Sequence, residues 1–359
     1  MHNRDFVIYA GKKALSVIRD GGFSPDRVAA VAGAAGGPKW LVLYGLDRFL
    51  FGDWFKDRER PLYLLGASIG TWRFAGASVA DPLAAIDRLK SAYIYQRYSD
   101  KPTAAEVSAE AVNILKRYIG DDEIRQILEH PYFRLNFLAV RCTLPPLKSE
   151  ARPLQLPILG LAALCNTVSR SSLGFFFQRA LFHHPVDGDF FNSLNGFPLH
   201  KIPLTPSNIR KAMIASGSIP MVMQGVADIP DAPPGVYRDG GIIDYHLNVP
   251  FATGPEELVL FPHYVNRIIP GWFDKQVKWR KPDPGCLDNV VMVAPSPAFV
   301  ASLPHGKIPD RKDFITLRGR DDTRFAYWNA VADKSRALAD SFHSAVASGR
   351  VAEMAEPFV

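Results

Sequence analysis

The sequence predicts an α/β protein, a sheet covered by helices on both faces. Two observations predict it. A short apolar run, a glycine loop and a helix follow one another twice in the first eighty residues. Further apolar runs, at 135–142 and 258–261, alternate with helical stretches. Residues 27–33 read as a short buried strand of valine and alanine. Pro38 then suits the first helical position, where a missing N–H costs nothing. Trp40, Leu41, Leu43, Tyr44, Phe49 and Leu50 make the following helix too apolar for full exposure. Residues 61–65 form the second strand and 69–80 the second helix. The stretch 81–118 is mainly helical, as is 121–129, and 135–142 is a strand. Residues 144–204 are rich in proline, glycine, phenylalanine and leucine without a clear period. They read either as a cap or lid insertion or as a long irregular core segment. Thr205-Pro206 is a helix start, with the helix running through 209–215 and breaking at Gly217 and Pro220. Residues 236–238 lead into Asp239-Gly240-Gly241. Phe325, Trp328, Val331, Leu338, Phe342 and Val346 recur at helical spacing and predict a core-facing helix near the C-terminus.

With 359 residues, 47% of them hydrophobic, the chain suffices for one large domain. A net charge of +6 is that of an ordinary basic protein, and no RNA-binding or zinc-finger pattern occurs, so nucleic acid is not expected. The three cysteines, Cys142, Cys165 and Cys286, are far apart and fit a reducing, cytoplasmic setting. No metal constellation or cofactor motif is present. The N-terminus lacks the apolar segment of a secretory signal. The longest uncharged stretch, 153–169, is short for a membrane span and is interrupted by Pro157, Gly160, Asn166 and Thr167. It predicts a buried or surface-inserting segment.

Three motifs carry chemistry. Gly66-Ala67-Ser68-Ile69-Gly70 follows an apolar strand, and G-x-S-x-G there lifts a serine oxygen into the open on a strained strand-to-helix turn. Upstream, Gly36-Gly37-Pro38-Lys39 ends another strand. Gly36 and Gly37 permit close backbone approach to an oxyanion, and the Lys39 amide joins them, whereas Pro38 has no N–H to give. This is not a P-loop, which requires Ser or Thr after the lysine, and Trp40 stands there. Asp239-Gly240-Gly241 puts a carboxylate on a sharp turn at a strand end, where it serves either as a base for Ser68 or as an ordinary turn residue. A triad would need a histidine after the acid, and His246 and His263 lie in that part of the chain. Ser216 and Ser218 read as turn residues.

Together these pieces resemble the patatin-like phospholipase family. The resemblance also draws on residues 212–220, Ala-Met-Ile-Ala-Ser-Gly-Ser-Ile-Pro, and on the continuation of Asp239 toward Asp244, Asn248 and Pro250. It implies a three-layer α/β/α fold with a central, mostly parallel sheet. It further implies a serine–aspartate dyad of Ser68 and Asp239, with Gly36, Gly37 and Lys39 as the oxyanion hole and Gly66 and Gly70 flanking the elbow. The activity implied is hydrolysis of lipid acyl esters. On this reading residues 1–359 form one domain with its motif-bearing core at about 28–250, a cap insertion at 144–204 and a C-terminal extension over 251–359. Two departures stand out: Ala34 and Ala35 replace the glycines usual before this point of the loop, and Trp40 replaces a glycine after it. Trp40 either narrows the acyl site or packs into the core. Residues 154–177 and 267–281, the latter mixing Trp272, Phe273 and Trp279 with lysines and arginines, are candidates for peripheral membrane contact. The alternatives are an α/β-hydrolase esterase with a Ser–Asp–His triad, or a degenerate member that binds lipid or protein. An activating partner is not legible.

Overall fold

The architecture is that of a computed structural model describing residues 5–186 and 189–358. From the N-terminus, strand β1 (Phe6–Ala10) and helix α1 (Lys12–Gly21) precede β2 (Val28–Gly33), then α2 (Tyr44–Phe49) and β3 (Leu62–Ala67). Helices α3 (Ile69–Ala77), α4 (Pro82–Ile94), α5 (Ala104–Tyr118) and α6 (Asp121–Glu129) lead to β4 (Phe133–Cys142). After α7 (Pro145–Lys148) and α8 (Arg152–Val168) come β5 (Phe177–His183), β6 (Leu199–Pro203), α9 (Ile209–Gly217), β7 (Val226–Ala227) and β8 (Val236–Asp239). The chain ends with β9 (Leu258–Pro262), β10 (Val290–Pro295), α10 (Pro297–Ser302), α11 (Asp313–Thr316), α12 (Asp321–Ala347), α13 (Val351–Met354) and β11 (Ala355–Pro357).

All described strands join one sheet in the order β11-β1-β10-β9-β2-β3-β4-β5-β6, with β8 on β4 and β7 on β8. From β10 to β4 the neighbours are parallel. Antiparallel pairs lie at β1–β10, β4–β5, β4–β8 and β7–β8. Every residue of β2, β9 and β10 is buried, as parallel strands covered on both faces require. This is a mixed α/β fold with a central, mostly parallel sheet flanked by helices. The last long helix, α12, buries Phe325, Trp328, Val331, Leu338 and Phe342 as their spacing predicts.

Three expectations need correction. The C-terminal part, 251–359, is no appendage: β9 lies between β2 and β10, because an apolar strand buried on both faces is stable only inside the sheet. The 144–204 segment is not one cap. Its first part is α7 and α8 over a separate small apolar cluster, but β5 and β6 extend the sheet. The helix after Thr205 begins at Ile209, because the Asn208 side chain accepts from the Thr205 N–H and holds the intervening residues as a turn.

Helix α8 buries Leu159 and Ala162 but is mixed on both faces. Gln155 and Asn166 are buried, while Leu156, Leu164 and Val168 are 58%, 65% and 86% exposed. Asn166 donates to Asp274 at 2.7 Å, which accounts for its inward turn. No described helix is long and apolar enough to cross a membrane.

Candidate active site

Ser68 sits between the last residue of β3 and the first of α3 with φ +55° and ψ −123°. A non-glycine residue with positive φ is strained, and such strain persists only where surrounding structure enforces it. Two glycines do so here. A Cβ on Gly70 would lie 1.9 Å from the Gly33 carbonyl oxygen, and one on Gly66 would lie 2.5 Å from the Thr71 nitrogen. Any side chain at either place would push α3 away from the sheet and open the turn.

The sheet brings Asp239 to this serine across 171 residues of sequence. One edge of β4 carries two strands in succession. Parallel β3 pairs with its first part, ending with Ala67 opposite Leu138. Antiparallel β8 pairs with its next residues, ending with Asp239 opposite Ala139. The two strands therefore run toward each other and stop at consecutive residues of β4. The Ser68 hydroxyl donates to Asp239 Oδ2 at 2.8 Å, and the Gly241 N–H donates to Oδ1 at 2.7 Å. Ser68 is 4% and Asp239 5% exposed. Burial pushes the Asp239 carboxyl above its ordinary value, outweighing Arg311 and the hydrogen bonds from Gly241 and Ser68. A carboxylate in that state is a stronger base than one in water and can take the serine proton.

Helix α9 holds both partners. The Ser216 hydroxyl oxygen accepts from the Ser68 N–H at 3.0 Å and donates to the Leu138 carbonyl at 2.7 Å. The Ser218 carbonyl accepts from the Asp239 N–H at 3.0 Å. Ser216, read from sequence as a turn residue, is thus a strut behind Ser68. Only its place in the stretch 212–220 hinted at this.

No family model matches this chain, and no curated protein does.

The Gly36–Lys39 loop is only partly beside Ser68. Gly37, at φ +57°, lines the same cavity. Gly36 and Lys39 do not: Gly36 lies against the Tyr264 ring, and the Lys39 ammonium stands 5.0 Å over that ring. The Ser68 N–H is occupied, and Gly37 and Ile69, the first residue of α3, line the cavity beside it. Trp40 packs in the core against Tyr93 and does not line the cavity. Among the described residues, no histidine lines the cavity or the recess at Asp239. Both ring nitrogens of His246 are engaged, one with the Tyr264 hydroxyl at 2.8 Å and one by the Ile269 N–H at 3.0 Å. Burial pushes His246 well below the ordinary value and His263 down to about 3.

Ser68 opens on a cavity of about 320 Å³ with largely apolar walls, among them Trp72, Val107, Ile114, Ile219 and Phe314. Asp239 faces a separate recess of about 20 Å³ with Trp272, Lys275 and Arg311. Arg311 and Ile219 line both. Among the described residues, no group of three histidine, cysteine or acidic side chains is placed to hold a metal ion.

Proposed function

We propose that this protein is a serine acyl hydrolase of the patatin-like kind, acting on lipid esters through Ser68 and Asp239. The observation that carries the reading is the 2.8 Å hydrogen bond between a strained elbow serine and a buried carboxylate. Ser68 Oγ attacks the ester carbonyl carbon as its proton passes to Asp239. The carbonyl oxygen becomes an oxyanion facing the Gly37 and Ile69 N–H groups, where one well-aimed donor lowers the barrier by about 3 kcal/mol. Collapse breaks the ester C–O bond, and Asp239 returns the proton to the leaving oxygen. Water then attacks the acyl-serine, losing its proton to Asp239, and the acid departs with Ser68 restored. The apolar cavity at Ser68 suits an acyl chain. The outward leucines of α8, with exposed Phe175 and Trp279, favour a substrate met at a lipid surface.

The test is fluorophosphonate labelling together with turnover of a short-chain p-nitrophenyl ester. Wild type labels and turns over; Ser68→Ala loses both; Asp239→Asn loses turnover by about 10³-fold or more. An unlabelled, inert wild type sinks the proposal.

A further inference from the structure

The charges around Asp239 do not balance. Lys275 and Arg311 line its recess, and Lys39 stands nearby on the loop. Among the described residues, Asp239 is the only carboxylate lining the recess, and none lines the apolar cavity. Among the described residues none of these three cations forms an ion pair within 4.0 Å. The Lys275 ammonium lies 3.8 Å over the Tyr245 ring, and burial pushes it down in pKa. Arg311 is wedged over the loop, so that a Cβ on Gly37 would come within 3.1 Å of its Nε. All three are half-buried and outnumber the single carboxylate beside them; an excess of partly desolvated cations is costly, and a site keeps them where an anion is delivered from outside.

Reaction geometry fixes which part of a substrate would meet them. Asp239 must protonate the leaving oxygen, so whatever hangs from that oxygen lies on the Asp239 side. There the space is about 20 Å³, against about 320 Å³ on the Ser68 side. A chain fits the larger space; the smaller suits one compact charged group. Arg311 borders both and stands where the ester would cross.

We propose that the recess beside Asp239 is an anion subsite in which Lys275 and Arg311 hold a phosphate or carboxylate on the leaving portion of the acyl ester. The proposal rests on the hydrolase reading and narrows it to esters with a negatively charged alcohol part. Both residues lie beyond residue 250, outside the motifs at Ser68 and Asp239. If the cations served only to ionise Asp239, they would affect all esters alike.

Three octanoyl esters sharing one acyl chain test it: of glycerol 3-phosphate, of glycolate and of glycerol. Wild type is expected to prefer one of the anionic esters over the neutral one by about tenfold or more in kcat/KM. Lys275→Gln and Arg311→Gln each lower that ratio several-fold, whatever their absolute rates, and Lys275→Arg retains most of it. Which anionic ester leads assigns the group as phosphate or carboxylate. In parallel, glycerol 3-phosphate and glycolate are titrated into the Ser68→Ala protein by calorimetry, with saturable binding expected and lost on adding Lys275→Gln. Turnover without preference and without binding overturns the subsite and leaves the hydrolase standing. Binding without wild-type turnover supports the subsite and overturns the hydrolase. Neither turnover nor binding overturns both.

Discussion

Ser68 separates two costs that are usually entangled. Alanine there keeps a Cβ and so keeps the strain of φ +55°, whereas glycine removes it. Both remove the hydroxyl that donates to Asp239. Comparing Ser68→Gly with Ser68→Ala therefore isolates the backbone strain. Urea unfolding should find the glycine variant more stable by about 1 kcal/mol, the reverse of the usual order of these residues. An alanine variant at least as stable as the glycine one would mean that the turn is relaxed and the positive φ is no reservoir of strain. Ser216 shows a different dependence. It contributes no atom to the cavity, yet the backbone of Ser68 hangs on its hydroxyl across 148 residues.

Helices α2 and α3 are tied together by a buried pair, Arg73 with Asp47, at 2.7 and 2.6 Å. Each side chain is 2% exposed. Burial holds the Asp47 carboxyl above its ordinary value although Arg73 pulls it down. Removing one partner leaves an uncompensated group, so Arg73→Met is expected to cost about 3–5 kcal/mol. The double variant Asp47→Leu with Arg73→Met recovers much of this; equal destabilisation by single and double variants in denaturant melts would refute the account. This pair also marks where the sequence stops being legible. The strained turn at Ser68, the glycine turn before Pro38 and the Asp-Gly-Gly turn were readable as backbone features because their signals are local: glycines at fixed offsets, apolar runs before them, a proline at a helical start; that Gly36 and Lys39 lie against Tyr264 was not. The 121–129 helix and the long C-terminal helix were legible for the same reason. Sheet order was not. Nothing near 258–262 or 290–295 says that β9 lies beside β2 or β10 beside β1, since each depends on a partner more than 200 residues away. Strand β1 and helix α1 went unread, and α8 hid behind its proline and its mixed faces. The pairing of Asp239 with Ser68 was a guess that only the register of β4 makes geometric.

The folded protein as an object should be acid-sensitive. His246 and His263 are fully buried and neutral, the latter with a pKa of about 3, and burial also brings His130 to about 4. Unfolded, each would titrate near 6.5. Below that pH the unfolded chain takes up protons that the folded chain refuses. Their contribution is therefore complete above 6.5 and is lost as pH falls toward the folded values, by about 1.4 kcal/mol per pH unit for each fully buried histidine. Asp47 and Asp239, raised by burial, run the opposite way and soften the loss at lower pH. Melting temperatures at graded pH should fall below 6.5, and His263→Gln should flatten the fall; a flat profile from 6.5 to 5 would contradict it. The abutment of β3 and β8 on β4 has a further consequence. Sliding β8 by one residue would carry Asp239 about 3.3 Å away and turn its carboxylate to the opposite face. A preparation with a slipped sheet would keep its circular dichroism and lose its chemistry, so specific activity works as a vernier on strand alignment, reading an error that spectroscopy of the whole fold would pass over.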